Sequence, residues 1–170
     1  HDLPFVNLPG VMSAMFDPDR VDMPRGAVKQ ADQSTTGTTD EAIVQRGREV
    51  YFRIYRAGLK NIGLYPHVKE VLEYFKEKKL IVLSNKRLEF IQLILENNRV
   101  AKLFSRIMGE DNATCLKPDP CAVLELLKQY QLPPARALFI GDMTIDVETG
   151  HNAGVHTCAV TYGLEEKNRL

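Results

Sequence analysis

The chain has 170 residues, which is the length of one domain or of one domain with a small insert. Its 22 basic and 22 acidic residues give a formal net charge of zero, which argues against a general nucleic-acid binder, because such proteins carry a basic surface. No apolar run approaches about 18 residues, so no membrane span is expected. The start, His1-Asp2-Leu3-Pro4, lacks the features of a signal peptide, and the expected location is cytoplasmic.

The three cysteines give no motif for a metal or a redox centre. Cys115, Cys121 and Cys158 are widely spaced and contain no C-x-x-C pair. An odd number with this spacing is typical of reduced cytosolic thiols that pack as small hydrophobic groups. We therefore expect three reduced thiols and no metal site built from them.

The first part of the chain has few candidates for a hydrophobic core. Residues 17–40 contain prolines, glycine and a polar run, and are predicted to be loop. Thr38 followed by Glu41 matches a capping box. Apolar residues at helical spacing then predict a helix over about 40–57, with Gly58 as its stop.

Helices and strands alternate regularly from residue 64 onward. Helices are predicted from Pro66 and over about 87–97, 119–130 and 146–153. Strands are predicted over 80–83, 106–108, 137–140 and 156–161. The runs 80–83 and 137–140 are apolar throughout, as in strands buried on both faces. This order predicts an α/β fold with a doubly wound parallel sheet, in which ligands bind at the carboxyl ends of the strands.

Polar residues that suit an anion follow these strands. Ser84 and Asn85 come directly after the first buried strand and offer a hydroxyl, an amide and backbone N–H groups at a helix start. Lys117 precedes Pro118, which favours an extended backbone, and its ammonium could neutralise phosphate charge. An ordinary helix cap and a solvated loop lysine are the alternatives when each signal is taken alone.

Two carboxylates follow the second buried strand. Asp142 leaves the strand and Asp146 lies on the first turn of the next helix, so both could face one point. Carboxylate oxygens in this arrangement suit Mg²⁺ together with phosphate oxygens, although acids at helix starts are also common as caps. A dianion, a hard cation and a neutralising lysine together match phosphoryl transfer, where catalysis is mostly positioning and charge neutralisation.

Three segments together resemble motifs two, three and four of the haloacid dehalogenase-like hydrolases. They are Ser84-Asn85-Lys86, Lys117-Pro118-Asp119-Pro120 and Gly141-Asp142-Met143-Thr144-Ile145-Asp146. The likeness runs over about residues 41–170 and is closer to the phosphoglycolate phosphatase and pyrophosphatase branch with a helical cap. It implies a haloacid dehalogenase-like α/β core over residues 63–170 and a partial helical cap over residues 1–62.

The resemblance also implies a reaction and roles. It indicates an Mg²⁺-dependent phosphatase of a small phosphorylated metabolite, such as phosphoglycolate, that works through an aspartyl-phosphate. Ser84 and Asn85 would hold the phosphoryl group, and Lys117 would bridge it to the nucleophile. Asp142 would bind Mg²⁺ directly, and Asp146 would bind it directly or through water.

The family's first motif, a strand followed by Asp-x-Asp-Gly-Thr, has no clear counterpart. Asp17-Pro18-Asp19 has two acids but no preceding buried strand. Phe5–Val11 has a better context, but it places Asn7 at the nucleophile and Pro9 at the acid–base position, and neither can do that chemistry. We favour a second alignment, in which residues 8–16 belong to the cap and the nucleophile strand lies before residue 1 of a longer protein.

The missing strand leaves a structural question. In this fold it lies between the strands that end at Ser84 and Asp142, where a gap would expose unpaired backbone groups. We expect Leu3–Leu8 to fill that position, or a second copy to supply a strand in a homodimer or strand swap.

The alternative function is a catalytically silent relative that keeps the phosphate and metal pocket as a binding module. A receiver-type signalling domain is disfavoured by residues 1–60.

Overall fold

A computed structural model describes residues 5–7, 41–59, 61–163 and 165–169 of the chain. The strands are β1 (Phe5–Asn7), β2 (Lys79–Leu83), β3 (Arg106–Met108), β4 (Ala137–Gly141) and β5 (His156–Ala159). The helices are α1 (Glu41–Leu59), α2 (Val68–Tyr74), α3 (Leu88–Asn97), α4 (Cys121–Gln129) and α5 (Thr144–Asn152). Short 3₁₀ turns occur at Ala101–Leu103, Pro134–Arg136 and Lys167–Arg169.

The predicted elements from residue 40 onward are all present, and their ends lie within two residues of the predicted positions. Helix α1 passes through Gly58 and ends at Leu59, whose buried side chain joins the core. Helix α2 begins at Val68 instead of Pro66, because the preceding His67 adopts a left-handed backbone with φ of 66°. The predicted α/β fold with a parallel sheet is confirmed.

The sheet has five parallel strands in the order β3-β2-β1-β4-β5. The three-residue strand β1 occupies the central position, where Val6 lies opposite Leu80 of β2 and Leu138 of β4. The expectation that a segment of this chain fills the central slot is therefore confirmed, and no strand from a second copy is needed there. A homodimer stays a prediction.

The position of β1 bears on the predicted division into cap and core. Phe5–Asn7 lie in the core sheet, although the predicted cap covered residues 1–62. The boundary itself stays a prediction. The alternative acids Asp17 and Asp19, and the cap segment 8–16, lie outside the described residues.

Strand β2 is covered by helices on both faces of the sheet. Its residues from Leu80 to Leu83 are at most 1% exposed, and successive side chains point to opposite faces. Leu80 and Val82 pack with α2 and α3, whereas Ile81 and Leu83 pack with α4. The continuous apolar run is thus explained by burial on both faces.

Helix α1 packs against α3 through aromatic side chains. Phe52 and Tyr55 contact Phe90, with ring centroids 5.6 and 4.7 Å apart, while Tyr51 remains exposed.

Among the helices that the structure describes, none is both long and apolar enough to cross a membrane.

The expectation of three reduced cysteines is wrong for two of them. Cys115 and Cys121 form a disulfide, and Cys158 is an exposed free thiol. The segment between the paired cysteines turns back on itself, since the Asp119 N–H donates to the Leu116 carbonyl at 3.0 Å. This turn brings the two Cα atoms to 6.0 Å, a separation that suits a disulfide.

We predict that Leu72→Ala lowers the free energy of unfolding by about 2–5 kcal/mol, because it leaves a cavity between α2 and the sheet. The neighbouring Val71→Ala should change it by no more than about 0.5 kcal/mol, since Val71 is 49% exposed. Urea unfolding of the two variants checks this pair. Equal losses would contradict the burial of Leu72.

Candidate active site

The predicted site residues lie at one edge of the sheet. Strands β2 and β4 are parallel neighbours of β1, so the residues that follow them are brought to the same edge. Ser84, Lys117, Asp142 and Asp146 are all buried there, with exposed fractions of 6, 9, 0 and 1%. Charged side chains are rarely buried to this extent unless they are paired or bind a ligand.

A buried ion pair lies at the centre of the site. The Lys117 Nζ lies 2.5 Å from Oδ1 of Asp146, and the two side chains are 6 and 1% exposed. The second oxygen of Asp146, Oδ2, accepts a hydrogen bond of 3.2 Å from the Met143 N–H. Asp146 therefore binds Lys117 and also satisfies a donor at the start of α5.

Asn85 holds the backbone of Lys117. Its Oδ1 accepts the Lys117 N–H and its Nδ2 donates to the Lys117 carbonyl, both at 3.0 Å. Asn152 of α5 adds a donor to the next carbonyl, that of Pro118, at 3.2 Å. Asn85 is thus a positioning residue for Lys117, and its predicted contact with phosphate stays a prediction.

Ser84 continues β2 into the site. Its N–H donates to the Met108 carbonyl at 3.0 Å, which extends the pairing with β3 by one bond. Its Oγ accepts the Lys86 N–H at 3.2 Å, so the hydroxyl proton can be directed to another acceptor. The predicted role of Ser84 in binding a phosphoryl oxygen stays a prediction.

Lys86 is a site residue that the sequence reasoning did not single out. Burial lowers the pKa of Lys86 below its usual value, and the charge of Lys117 lowers it further, while the charge of Asp142 acts in the opposite direction. The Lys86 ammonium therefore interacts electrostatically with both charges. The only sequence signal for Lys86 is its place directly after Asn85 in the segment Ser84-Asn85-Lys86.

Two glycines allow the acids to pack closely. A Cβ at Gly141 would lie 2.2 Å from the Cβ of Asp146, and a Cβ at Gly163 would lie 2.2 Å from the Cβ of Asp142. Both distances are too short for any larger residue without a shift of the backbone. Gly163 therefore lies against Asp142, a contact that the sequence did not predict.

Glu165 fixes the start of the helix that carries Asp146. Its two carboxylate oxygens accept hydrogen bonds from the Thr144 N–H at 2.5 Å and the Thr144 Oγ1 at 2.9 Å. These bonds lower the pKa of Glu165 below its usual value. A carboxylate at a helix start also interacts favourably with the helix dipole.

The whole arrangement combines two ammonium groups, two carboxylates and a serine hydroxyl at one buried strand edge. The ammonium groups and the hydroxyl suit an oxyanion, and the carboxylates suit a hard cation. Because the site is buried, each of these interactions is less screened than it would be in water.

Comparisons with known proteins identify the family that this chain resembles. A family model described as haloacid dehalogenase-like hydrolase matches residues 25–160, which include all five predicted site residues. A curated phosphoglycolate phosphatase of Pseudomonas syringae pv. tomato is 31% identical over 126 residues, covering 73% of this chain and 46% of that protein. The corresponding protein of Haemophilus influenzae is 34% identical over 140 residues, covering 81 and 62%. The chain thus spans about half to two thirds of the length of these relatives.

Two solved structures show the same likeness. A predicted phosphoglycolate phosphatase from Haemophilus somnus superposes with a TM-score of 0.70 at 33% identity, covering 83% of this chain and 62% of that one. A putative haloacid dehalogenase-like hydrolase from Bacteroides fragilis gives 0.65 at 28% identity, covering 79 and 65%.

We predict that Lys117→Met destabilises the chain by about 3–5 kcal/mol, because it leaves the buried carboxylate of Asp146 without its cation. Adding Asp146→Asn should recover part of this loss, since the remaining group is then neutral. The control is Lys128→Met on the exposed face of α4, for which a change within about 0.5 kcal/mol is expected. Unfolding by denaturant measures all three; a Lys117→Met variant as stable as the control is incompatible with the ion pair.

A second prediction concerns pH. The pKa of Glu165 is lower in the folded chain than its usual value of 4.5, so its stabilising effect is present above that pH and is lost as pH falls through the lowered value. Glu165→Gln should therefore lower the unfolding midpoint near neutral pH, and the difference from the unchanged chain should shrink below about pH 4. Glu166→Gln, next to it and exposed, is the control. A difference that stays constant from pH 7 to pH 3 would count against this role.

Proposed function

This chain belongs to the haloacid dehalogenase-like hydrolase family, and we propose that it is the phosphate- and metal-binding part of a phosphatase that acts on a small phosphorylated metabolite. The observation that supports this most strongly is the buried Lys117–Asp146 pair beside Asp142 and Ser84, at the carboxyl ends of parallel strands. Burying charged groups costs free energy unless they are paired or bind a ligand, which supports a binding role for this cluster.

The phosphoryl group would be bound on the lysine side of the site. Lys117 and Lys86 supply positive charge, and Ser84 supplies a hydroxyl donor at the tip of β2. Asn85 holds the Lys117 backbone on both sides, so the ammonium is positioned before a ligand arrives. Phosphoryl transfer depends mainly on such positioning and on charge neutralisation.

Mg²⁺ would be bound on the carboxylate side. Asp142 is fully buried at the tip of β4, where its oxygens suit a hard cation that keeps several waters. Both oxygens of Asp146 bond to other groups of the chain, so we assign the direct contact to Asp142 and a contact through water to Asp146. The cation would neutralise charge on the phosphoryl oxygens.

The turnover itself is proposed for the whole protein. The family resemblance implies that an aspartate attacks phosphorus and that water then hydrolyses the aspartyl-phosphate. In the part of the chain that the structure describes, the central strand ends at Asn7, and an amide cannot form that intermediate. The names of the relatives support phosphoglycolate or a similar metabolite as the substrate, and a cytoplasmic location is part of the same proposal.

Asn7 at the end of the central strand also favours the second candidate function. A catalytically silent relative would keep Lys117, Asp142 and Asp146 and would bind phosphate and Mg²⁺ without turnover. The two candidates differ in turnover alone.

The decisive experiment measures hydrolysis of p-nitrophenyl phosphate and of phosphoglycolate by the whole protein, with and without Mg²⁺. We expect Mg²⁺-dependent turnover that falls by at least about 100-fold in Asp142→Asn, since an amide is a much weaker ligand for the cation. Glu148→Gln, an exposed position on α5, is the control and should retain activity. Activity that survives Asp142→Asn would overturn the metal assignment, and phosphate binding without turnover would favour the silent relative.

Binding can be measured on the 170 residues directly. Calorimetric titration with inorganic phosphate in the presence of Mg²⁺ should show binding that weakens at least about tenfold in Lys117→Met, which corresponds to about 1.4 kcal/mol. The same titration of Lys128→Met should match the unchanged chain. If Lys117→Met binds phosphate as tightly as the control, Lys117 does not face the ligand.

A further inference from the structure

The disulfide encloses the segment that carries Lys117. Cys115 and Cys121 are separated by six positions in sequence, and Lys117 lies between them. The bridge therefore closes a small covalent ring that includes the backbone of Lys117, a buried residue of the candidate site. No other disulfide occurs among the residues that the structure describes, and Cys158 is a free thiol on β5.

The two sulfur atoms lie at a helix start, which favours a thiolate, although the Cys115 Sγ is also 3.4 Å from Oδ1 of Asp119, whose negative charge opposes a thiolate on Cys115. Cys121 is the first residue of α4, and the Cys115 Sγ accepts the Ala122 N–H at 3.3 Å, so both lie at the helix start. The positive end of a helix stabilises a thiolate, and a thiolate is the form that attacks or leaves in exchange. Both cysteines are partly exposed, which gives a small thiol access to the bridge.

We propose that Cys115 and Cys121 form a reversible exchange site for a small-molecule thiol–disulfide couple, and that their redox state controls the segment holding Lys117. In the forward direction a small thiolate attacks one sulfur of the bridge, the protein S–S bond breaks, and the other cysteine leaves as a thiolate that takes up a proton. A second small thiol then displaces the first cysteine. Overall, two small thiols are oxidised to their disulfide and the protein disulfide is reduced to two thiols.

The consequence for Lys117 follows from its anchors. With the bridge closed, both ends of the segment are joined covalently, and Asn85 and Asn152 hold its middle through hydrogen bonds. With the bridge open, only the hydrogen bonds and the ion pair to Asp146 remain. The reduced segment should be more mobile, and a mobile segment must be ordered again when an anion binds.

The first test follows alkylation of the three cysteines by iodoacetamide and mass spectrometry. After incubation with oxidised glutathione, we expect label on Cys158 alone; after reduced glutathione, we expect label on Cys115 and Cys121 as well, in a chain that remains folded by circular dichroism. Cys158→Ser removes the background label. Two outcomes overturn the proposal: label on all three cysteines after the oxidised treatment, or a bridge that opens only when the chain is unfolded.

The second test measures amide hydrogen exchange of a peptide that spans residues 115–121. We expect faster exchange in the reduced chain, with unchanged rates in β2, and the same fast exchange in a Cys115→Ser/Cys121→Ser variant under oxidising conditions. Equal rates in both redox states would overturn the control of Lys117. This measurement does not require that the chain binds phosphate.

The effect on phosphate rests on the proposed function. We expect inorganic phosphate to bind about fivefold more tightly to the oxidised chain, the lower end of typical coupling between sites. By linkage, saturating phosphate should stabilise the oxidised chain. The ratio of the squared reduced-glutathione concentration to the oxidised-glutathione concentration at which half of the bridges are reduced should therefore rise by the same factor. Equal affinities in the two redox states overturn this coupling. Absence of phosphate binding in both states contradicts the proposed function, while the exchange measurement still decides the control of Lys117.

Discussion

The buried ion pair between Lys117 and Asp146 is the interaction on which the rest of the site depends. Lys117 comes from the segment between β3 and α4, and Asp146 comes from α5, so the pair joins two connections that are far apart in sequence. Neither charge is stable in this buried position without the other. Two neighbouring contacts position this pair. Asn85 holds the Lys117 backbone, and the Met143 N–H donates to the second oxygen of Asp146.

The parallel sheet explains why these groups meet. Strand β2 is buried on both faces, and its alternating side chains bind α2 and α3 to one face and α4 to the other. Once both faces are covered, the carboxyl ends of the strands are the place where polar side chains can converge. Gly141 and Gly163 then allow the acids to approach neighbouring backbone more closely than any larger residue would permit.

The Cys115–Cys121 bridge and the buried ammonium of Lys117 belong to the same short segment. The bridge closes the segment that presents Lys117, and α4, which begins at Cys121, packs on the sheet through Val123 and Leu126. The spacing of the cysteines alone predicted reduced thiols, because it contains no local motif. Their pairing depends on the turn between them, and this turn exists only in the folded segment.

The sequence alone determined the helices and strands from residue 40 onward and the parallel fold, because periodicity is a local signal. It also placed the five candidate site residues after strands, and their roles stay predictions. The tertiary structure decided which segment fills the centre of the sheet, since the three residues of β1 are too few to show a period. It also decided that Lys117 pairs with Asp146, that the charge of Lys86 interacts with those of Lys117 and Asp142, and that Glu165 caps α5. These contacts join residues distant in sequence, and only the packing of the sheet and its helices brings them together.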